Sequence, residues 1–203
     1  MDYFWIFDVI GLIAFAISGF LAGVRRNLDV LGVMIAGFAT AIGGGIVRDA
    51  ISGRIPFVFQ EYYPVITILV ALAFSILFRL HKRDQIERRI IFIVMDAIGL
   101  VAFSIAGAMV GIDYGFNFFG IILLSFITAV GGGIIRDVMV NEIPFVLVSE
   151  FYGTVAILCA VLLAFAKMWL GSLPLWAILL VAGAGLALRL LGYFRGWQLP
   201  KIG

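Results

Sequence analysis

Twice in this chain, 88 residues apart, three glycines are followed by an arginine-aspartate pair. The copies are Gly43-Gly44-Gly45-Ile46-Val47-Arg48-Asp49 and Gly131-Gly132-Gly133-Ile134-Ile135-Arg136-Asp137. Each copy lies inside an apolar stretch long enough to cross a bilayer. Three consecutive glycines loosen a helix, since each costs roughly 1 kcal/mol relative to alanine. Arginine and aspartate are costly in hydrocarbon unless they face protein or water. Matched copies of so unusual a combination fit the pattern of interrupted helices in repeated halves found where membrane proteins move solutes.

Composition agrees. Of 203 residues, 64% are hydrophobic and 13% charged, against about 25% charged in ordinary soluble domains. The chain therefore reads as an all-α integral membrane protein that crosses the bilayer several times. A net charge of +2, with the basic residues gathered between apolar segments, gives no reason to expect a nucleic-acid partner. The one cysteine, Cys159, rules out an intrachain disulfide and a cysteine metal cluster, and reads as a lipid-facing or packing residue. Met1-Asp2-Tyr3-Phe4-Trp5 lacks the positive start of a signal peptide, so the first segment is expected to be retained.

Runs of about 20 apolar residues predict seven spans, near 4–24, 30–52, 62–80, 90–112, 117–140, 150–170 and 174–194. Alternating the loops between two sides gathers Arg25, Arg26, Arg79, Lys82, Arg83, Arg88, Arg89, Arg189, Arg195 and Lys201 on one side. Arg54 and Lys167 fall on the other. The positive-inside rule then puts the N-terminus outside and the C-terminus in the cytoplasm of a cell whose inner membrane holds the protein.

Shifting the chain by 88 residues aligns Asp8-Val-Ile-Gly-Leu-Ile-Ala-Phe15 with Asp96-Ala-Ile-Gly-Leu-Val-Ala-Phe103, and Ile55-Pro-Phe-Val58 with Ile143-Pro-Phe-Val146. Residues 8–59 align without a gap, and 23 of these 52 positions are identical. Each half holds three spans, an odd number, so the second half is expected to enter the membrane from the opposite side. This predicts two inverted three-helix repeats, at 1–80 and 90–172, joined by a basic linker at 81–89. An accessory seventh helix and tail follow at 173–203.

On these residues the chain resembles the trimeric intracellular cation channel family, in its bacterial and archaeal branch, which domain naming also links to a glycine transporter module. The likeness covers nearly the whole chain: both three-helix repeats, the paired motifs and the seventh helix. It implies a homotrimer in which each protomer carries a water-filled pore lined by the first, second, fourth and fifth helices. It implies passive passage of potassium and sodium, with the glycine triplets bending the second and fifth helices. Animal members carry lysine-glutamate-valine near the place where this chain has Ile-Val-Arg-Asp and Ile-Ile-Arg-Asp, and serve calcium-storing membranes.

Several motifs admit a plainer reading beside the functional one. The glycines could free carbonyls toward a cavity or let helices pack closely. Arg48 and Asp49 leave a helix about 100° apart, so their partners are expected on other helices. By pseudosymmetry Arg48 should lie near Asp137 or Asp8, and Arg136 near Asp49 or Asp96, across the repeat interface. Such a network serves structure, an ion pathway, or both. Asp8 and Asp96 are expected to open their helices, as complements to the macrodipole or as a cation-attracting vestibule. Thr40 and Thr128, with Ser18 and Ser104, could line a wet pore or merely bond back to their own helix. The Ile-Pro-Phe turns at 55–57 and 143–145 read as structural. Gly19 to Gly23 and Gly107 to Gly111 have the G-x-x-x-G spacing of helix contacts, within the chain or between copies.

No Walker loop, zincin pair or nucleophile elbow occurs, and one histidine, His81, cannot build a histidine-bearing metal cage. An enzyme, a metal site and a cofactor are not expected. Arg88 and Arg89 suit anionic lipid headgroups as well as positive-inside anchoring. The expected ion pathway comprises Asp8, Thr40, Gly43, Gly44, Gly45, Arg48, Asp49 and, in the second half, Asp96, Thr128, Gly131, Gly132, Gly133, Arg136, Asp137. A secondary transporter of glycine or another small zwitterion is the alternative, and a scaffold or lipid-binding protein a third.

Overall fold

A computed structural model describes residues 3–148 and 152–197. Met1, Asp2, Lys201 and the first residues of the sixth expected span, 150 and 151, lie outside the described residues. The order of helices is α1 (Phe4–Arg25), α2 (Val30–Ile51), α3 (Tyr63–Leu77), α4 (Gln85–Asp113), α5 (Phe118–Met139), a short α6 (Phe145–Val148), α7 (Gly153–Leu170) and α8 (Leu175–Phe194).

Among the described residues six helices are long and apolar enough to cross a membrane, and α3, with 15 residues, is a shorter apolar helix. At 1.5 Å per residue α3 runs about 22 Å, short of the ~30 Å hydrocarbon core. Its expected extension to residue 80 is cut where Arg79 adopts a left-handed conformation (φ 53°). Helix α4 starts at Gln85, inside the expected linker, because the Asp84 side chain caps it by accepting from Glu87 N at 2.8 Å.

The two halves use the same punctuation. Asp29 and its counterpart Asn117 cap α2 and α5, accepting from Gly32 N and Gly120 N at 2.7 and 2.8 Å. The C-terminal turns close alike: Leu28 N donates to Gly23 O at 3.1 Å and Phe116 N to Gly111 O at 2.9 Å. The left-handed position falls on Asn27 in one half and Gly115 in the other, both residue types that tolerate it.

Helices α1, α2, α4 and α5 pack as a four-helix unit, α1 on α2 and α4, and α5 on α4 and α2. Helix α3 lies on α1, while α7 and α8 lie on the α4 side. Both G-x-x-x-G pairs serve contacts within the chain. A Cβ on Gly19 would meet Gly37 Cα at 2.8 Å, and one on Gly107 would meet Ser125 Cα at 2.8 Å. Cys159 is buried and packs where a Cβ on Gly185 would stand 2.6 Å from its sulfur, so it fills the α7–α8 contact and does not face lipid.

Contacts between turns define the ends of the bundle. At one end Arg25 and Arg26 pair with Glu142, and Arg89 Nε donates to Tyr193 Oη at 3.1 Å. This end gathers the α1–α2 turn, the start of α4, the α5–α6 turn and the end of α8, and with them Arg25, Arg26, Arg88, Arg89 and Arg195 from the expected basic group. Arg54 and Lys167 lie at the other end. Trp5, Trp169 and Trp176 are exposed there, near the ends of α1, α7 and α8, as interfacial tryptophans are. Arg189 departs from its expected place among the loops. It is 1% exposed, within α8, with its guanidinium 4.7 Å from the Tyr152 ring centre. A residue one turn before the helix end faces the bundle, not solvent, when its position falls on the packed side.

Candidate functional site

The charged residues of the two motifs form two buried centres of the same design. In the first, Arg48 Nη1 donates to Asp8 Oδ1 at 2.9 Å and Arg48 Nε to Asp49 Oδ1 at 2.8 Å. In the second, Arg136 Nη1 donates to Asp96 Oδ1 at 2.6 Å and Arg136 Nε to Asp137 Oδ1 at 2.8 Å. All six side chains are at most 1% exposed.

Two expectations about this network are corrected. Each arginine does pair with the aspartate beside it, because the long arginine stem folds back and brings Nε, not the terminal nitrogens, to its neighbour's carboxylate. Each takes its second carboxylate from one of its two expected partners on another helix, Asp8 for Arg48 and Asp96 for Arg136, but within its own half, so these ion pairs do not cross between halves. The crossing contact comes from Ser18 of α1, whose Oγ accepts from Arg136 Nη1 at 2.5 Å. The counterpart of Ser18 is Ala106, so only the second centre has it.

The outer carboxylate oxygens of Asp49 and Asp137 hold the turns that follow. Phe57 N donates to Asp49 Oδ2 at 2.9 Å and Phe145 N to Asp137 Oδ2 at 2.8 Å. The Ile-Pro-Phe segments are thus turns pinned to the motif. Beyond them the halves differ. Arg54 Nη2 adds a 2.5 Å bond to Asp49 Oδ1, whereas the equivalent of Arg54 is Glu142, which instead pairs with Arg25 and Arg26.

Asp8 and Asp96 are not helix-opening residues. The first turn of α1 contains no acid, and Asp96 lies eleven residues into α4. Each receives a tyrosine hydroxyl, Tyr63 Oη to Asp8 Oδ2 at 3.0 Å and Tyr152 Oη to Asp96 Oδ1 at 3.2 Å. Neither tyrosine is among the expected residues. The gapless alignment ends at residue 59, and the two are offset by 89 positions, one more than the repeat. Two phenylalanines also join the centres without being expected there. Arg48 Cζ lies 4.8 Å from the Phe4 ring centre and Arg136 Cζ 4.6 Å from that of Phe92. Phe4 and Phe92 are 88 apart, just ahead of the aligned block. Arg48 Nη2 and Arg136 Nη2 have no hydrogen-bond partner among the described residues, so the ring faces are what these guanidinium edges meet.

Between the two centres α2 and α5 cross at their glycines. A Cβ on Gly44 would fall on the Thr128 carbonyl oxygen, and one on Gly132 on the Thr40 carbonyl oxygen. Gly131 faces Gly44 Cα, while Gly43, Gly45 and Gly133 leave room for Ile135, Phe57 and Tyr152. Both helices are continuous through the triplets, and at these glycines the facing backbones approach closely. The hydroxyls of Thr40 and Thr128 donate to Ala36 O and Leu124 O, each at 2.6 Å, which is the back-bonding alternative. Ser104 ties three helices, sharing a 2.9 Å bond with Ser125 of α5 and donating to Ala156 O of α7 at 2.9 Å. Phe15 and Phe103 fill the rest of the gap, ring centres 5.2 Å apart and edge to face.

The family model described as "Glycine transporter" matches this chain twice, at residues 5–79 and 93–168. The chain is 32% identical to UPF0126 membrane protein YvgT of Bacillus subtilis, over 96% of this chain and 94% of that one. It is 33% identical to the UPF0126 inner membrane protein YadS of Escherichia coli K12, over 78% and 75%. Among solved structures, a prokaryotic TRIC channel in 0.5 M KCl superposes with a TM-score of 0.89 at 32% identity, covering 98% of this chain and 99% of that one. The TRIC trimeric intracellular cation channel orthologue from Rhodobacter sphaeroides gives 0.84 at 30% identity, with 97% and 100% covered.

Proposed function

The chain belongs to the trimeric intracellular cation channel family, and from that premise we propose that it conducts monovalent cations, potassium and sodium, through a pore in each protomer of a homotrimer. The pathway runs among α1, α2, α4 and α5, past the two arginine centres and the glycine crossing between them. Its site residues are those of the paired motifs together with Asp8 and Asp96. The halves act as an inverted repeat, with α8 as the accessory helix. The protein sits in the inner membrane with its basic end in the cytoplasm, where Arg88 and Arg89 hold anionic headgroups.

The observation that carries this reading is the charge balance of the two centres. Arginines beside a constriction would repel cations, but here four carboxylates share two fully buried arginines. Each of these two arginines is held by two carboxylates; Arg54, bonded to Asp49, balances the first centre, and the second centre, with one arginine for Asp96 and Asp137, keeps the negative excess. A small cation is the mobile species such an excess favours.

Planar-bilayer recording of the purified protein in a KCl gradient tests this directly. Discrete steps reversing near the potassium equilibrium potential are expected. The name of the matched family model keeps one alternative alive, a carrier for glycine or another small zwitterion. A silent bilayer with folded protein, together with saturable glycine uptake into vesicles, would establish the carrier instead.

A further inference from the structure

A cavity of about 870 Å³ opens at the basic end of the bundle, lined by Arg25, Arg88, Arg89, Phe92, Phe145 and Tyr193 among others. Its inner wall includes Phe92, which is only 4% exposed. Two guanidiniums lie over the phenyl ring, the exposed Arg25 and the buried Arg136: Arg136 Cζ is 4.6 Å from its centre and Arg25 Cζ 5.2 Å. Phe92 therefore divides the open cavity from the buried Arg136–Asp96 centre.

The clamp on this ring is assembled from different helices. Arg136 comes from α5, Phe92 from α4 and Arg25 from α1, and Glu142 just past α5 holds Arg25. The Arg25–Glu142 pair is partly exposed, with side chains 44% and 24% accessible, so it is screened and individually weak. At the other end Phe4 lies between Arg48 and Arg54, with Arg54 Cζ 5.7 Å from its centre. There, however, Arg54, itself 24% accessible, is bonded to Asp49, a carboxylate with no exposure, so the anion of that clamp is buried where Glu142 is not.

We infer that Phe92 is the gate residue of the basic end, held shut by Arg25 on its outer face through the exposed Glu142 pair. The inference rests on the proposed pathway past Arg136. Loss of the Arg25–Glu142 pair frees the outer guanidinium, the ring swings into the cavity, and the Arg136 centre becomes wet. The Phe4 end, fixed by buried carboxylate bonds, stays shut under the same conditions.

Ser18, bonded to Arg136, reports on that centre without any ion flow. In a Ser18→Cys, Cys159→Ala protein, reaction with a small charged methanethiosulfonate reagent should be slow. Adding Phe92→Ala should speed it at least about tenfold, because the ring's cation–π attraction to both guanidiniums goes with it. Glu142→Gln should speed it about two- to fivefold, in line with a partly exposed ion pair. Phe92→Trp should keep it slow, and Phe4→Ala should leave it unchanged. A thermal transition and monodisperse elution establish that each variant is folded. Equal labelling rates with and without Phe92→Ala, or equal acceleration by Phe4→Ala, would overturn the gate. Absence of cation current through the unmodified protein would instead overturn the channel reading, and the labelling result would then describe the gate of a carrier.

Discussion

At the scale of single residues, the two arginine centres make the sharpest predictions. Replacing Asp49 or Asp137 by asparagine removes negative charge and loosens an arginine, so reversal potentials in a KCl gradient should move toward zero, marking lower cation preference. Unchanged reversal potentials in both variants would break the link between these carboxylates and selectivity. Arg48→Met leaves Asp8 and Asp49 buried without their shared cation, and should cost about 3–5 kcal/mol, read as a large drop in thermal transition temperature in detergent. Tyr152→Phe removes one hydrogen bond to Asp96 and should cost about 1 kcal/mol, a difference the same measurement resolves. The charged members of these centres were legible because each occurs twice at a fixed spacing in an apolar setting. Their partners were legible only in part. The direction of an arginine side chain depends on which nitrogen reaches a carboxylate, and spacing alone carries no such information. Tyr63 and Tyr152 stayed hidden because the second half carries one extra residue after position 147, which breaks the 88-residue register.

At the scale of helices, the glycines divide into those with a neighbour and those without. Gly44→Ala and Gly132→Ala would each drive a methyl group into a backbone oxygen of the facing helix, and backbone cannot swing aside as a side-chain tip can. Both should lower the thermal transition clearly. Gly183→Ala in α8 meets nothing within 4 Å, so it should be neutral or stabilise by up to about 1 kcal/mol through helix propensity. If all three behaved alike, the α2–α5 crossing would not be what the triplets serve. Helix positions followed from apolar runs and from capping residues such as Asp29 and Asn117. Continuity through the triplets did not follow, because glycine lowers helix propensity wherever it stands, and only the presence of a partner helix tells a contact from an interruption. The length of α4 was also hidden, since its first turn is charged and reads as loop until Asp84 is seen to cap it.

At the scale of the whole molecule, the contacts between turns and the sequence pattern agree on which loops share an end, though Arg189 shows that a basic residue near a helix end need not be among them. A reporter enzyme active only in the cytoplasm, fused after residue 203, should be active. Activity only in the reverse orientation would overturn the assignment of the basic end. The glycine crossing carries one more consequence, for how such a chain can change over generations. Where side chains meet, a loss on one helix can be answered by a gain on the other, and a joint can drift. At Gly44 and Gly132 the meeting parts are a missing side chain and a main-chain oxygen. Every available substitution adds atoms and none can be compensated opposite, so the seam between the halves is a fixed point around which the rest of the protein is free to vary.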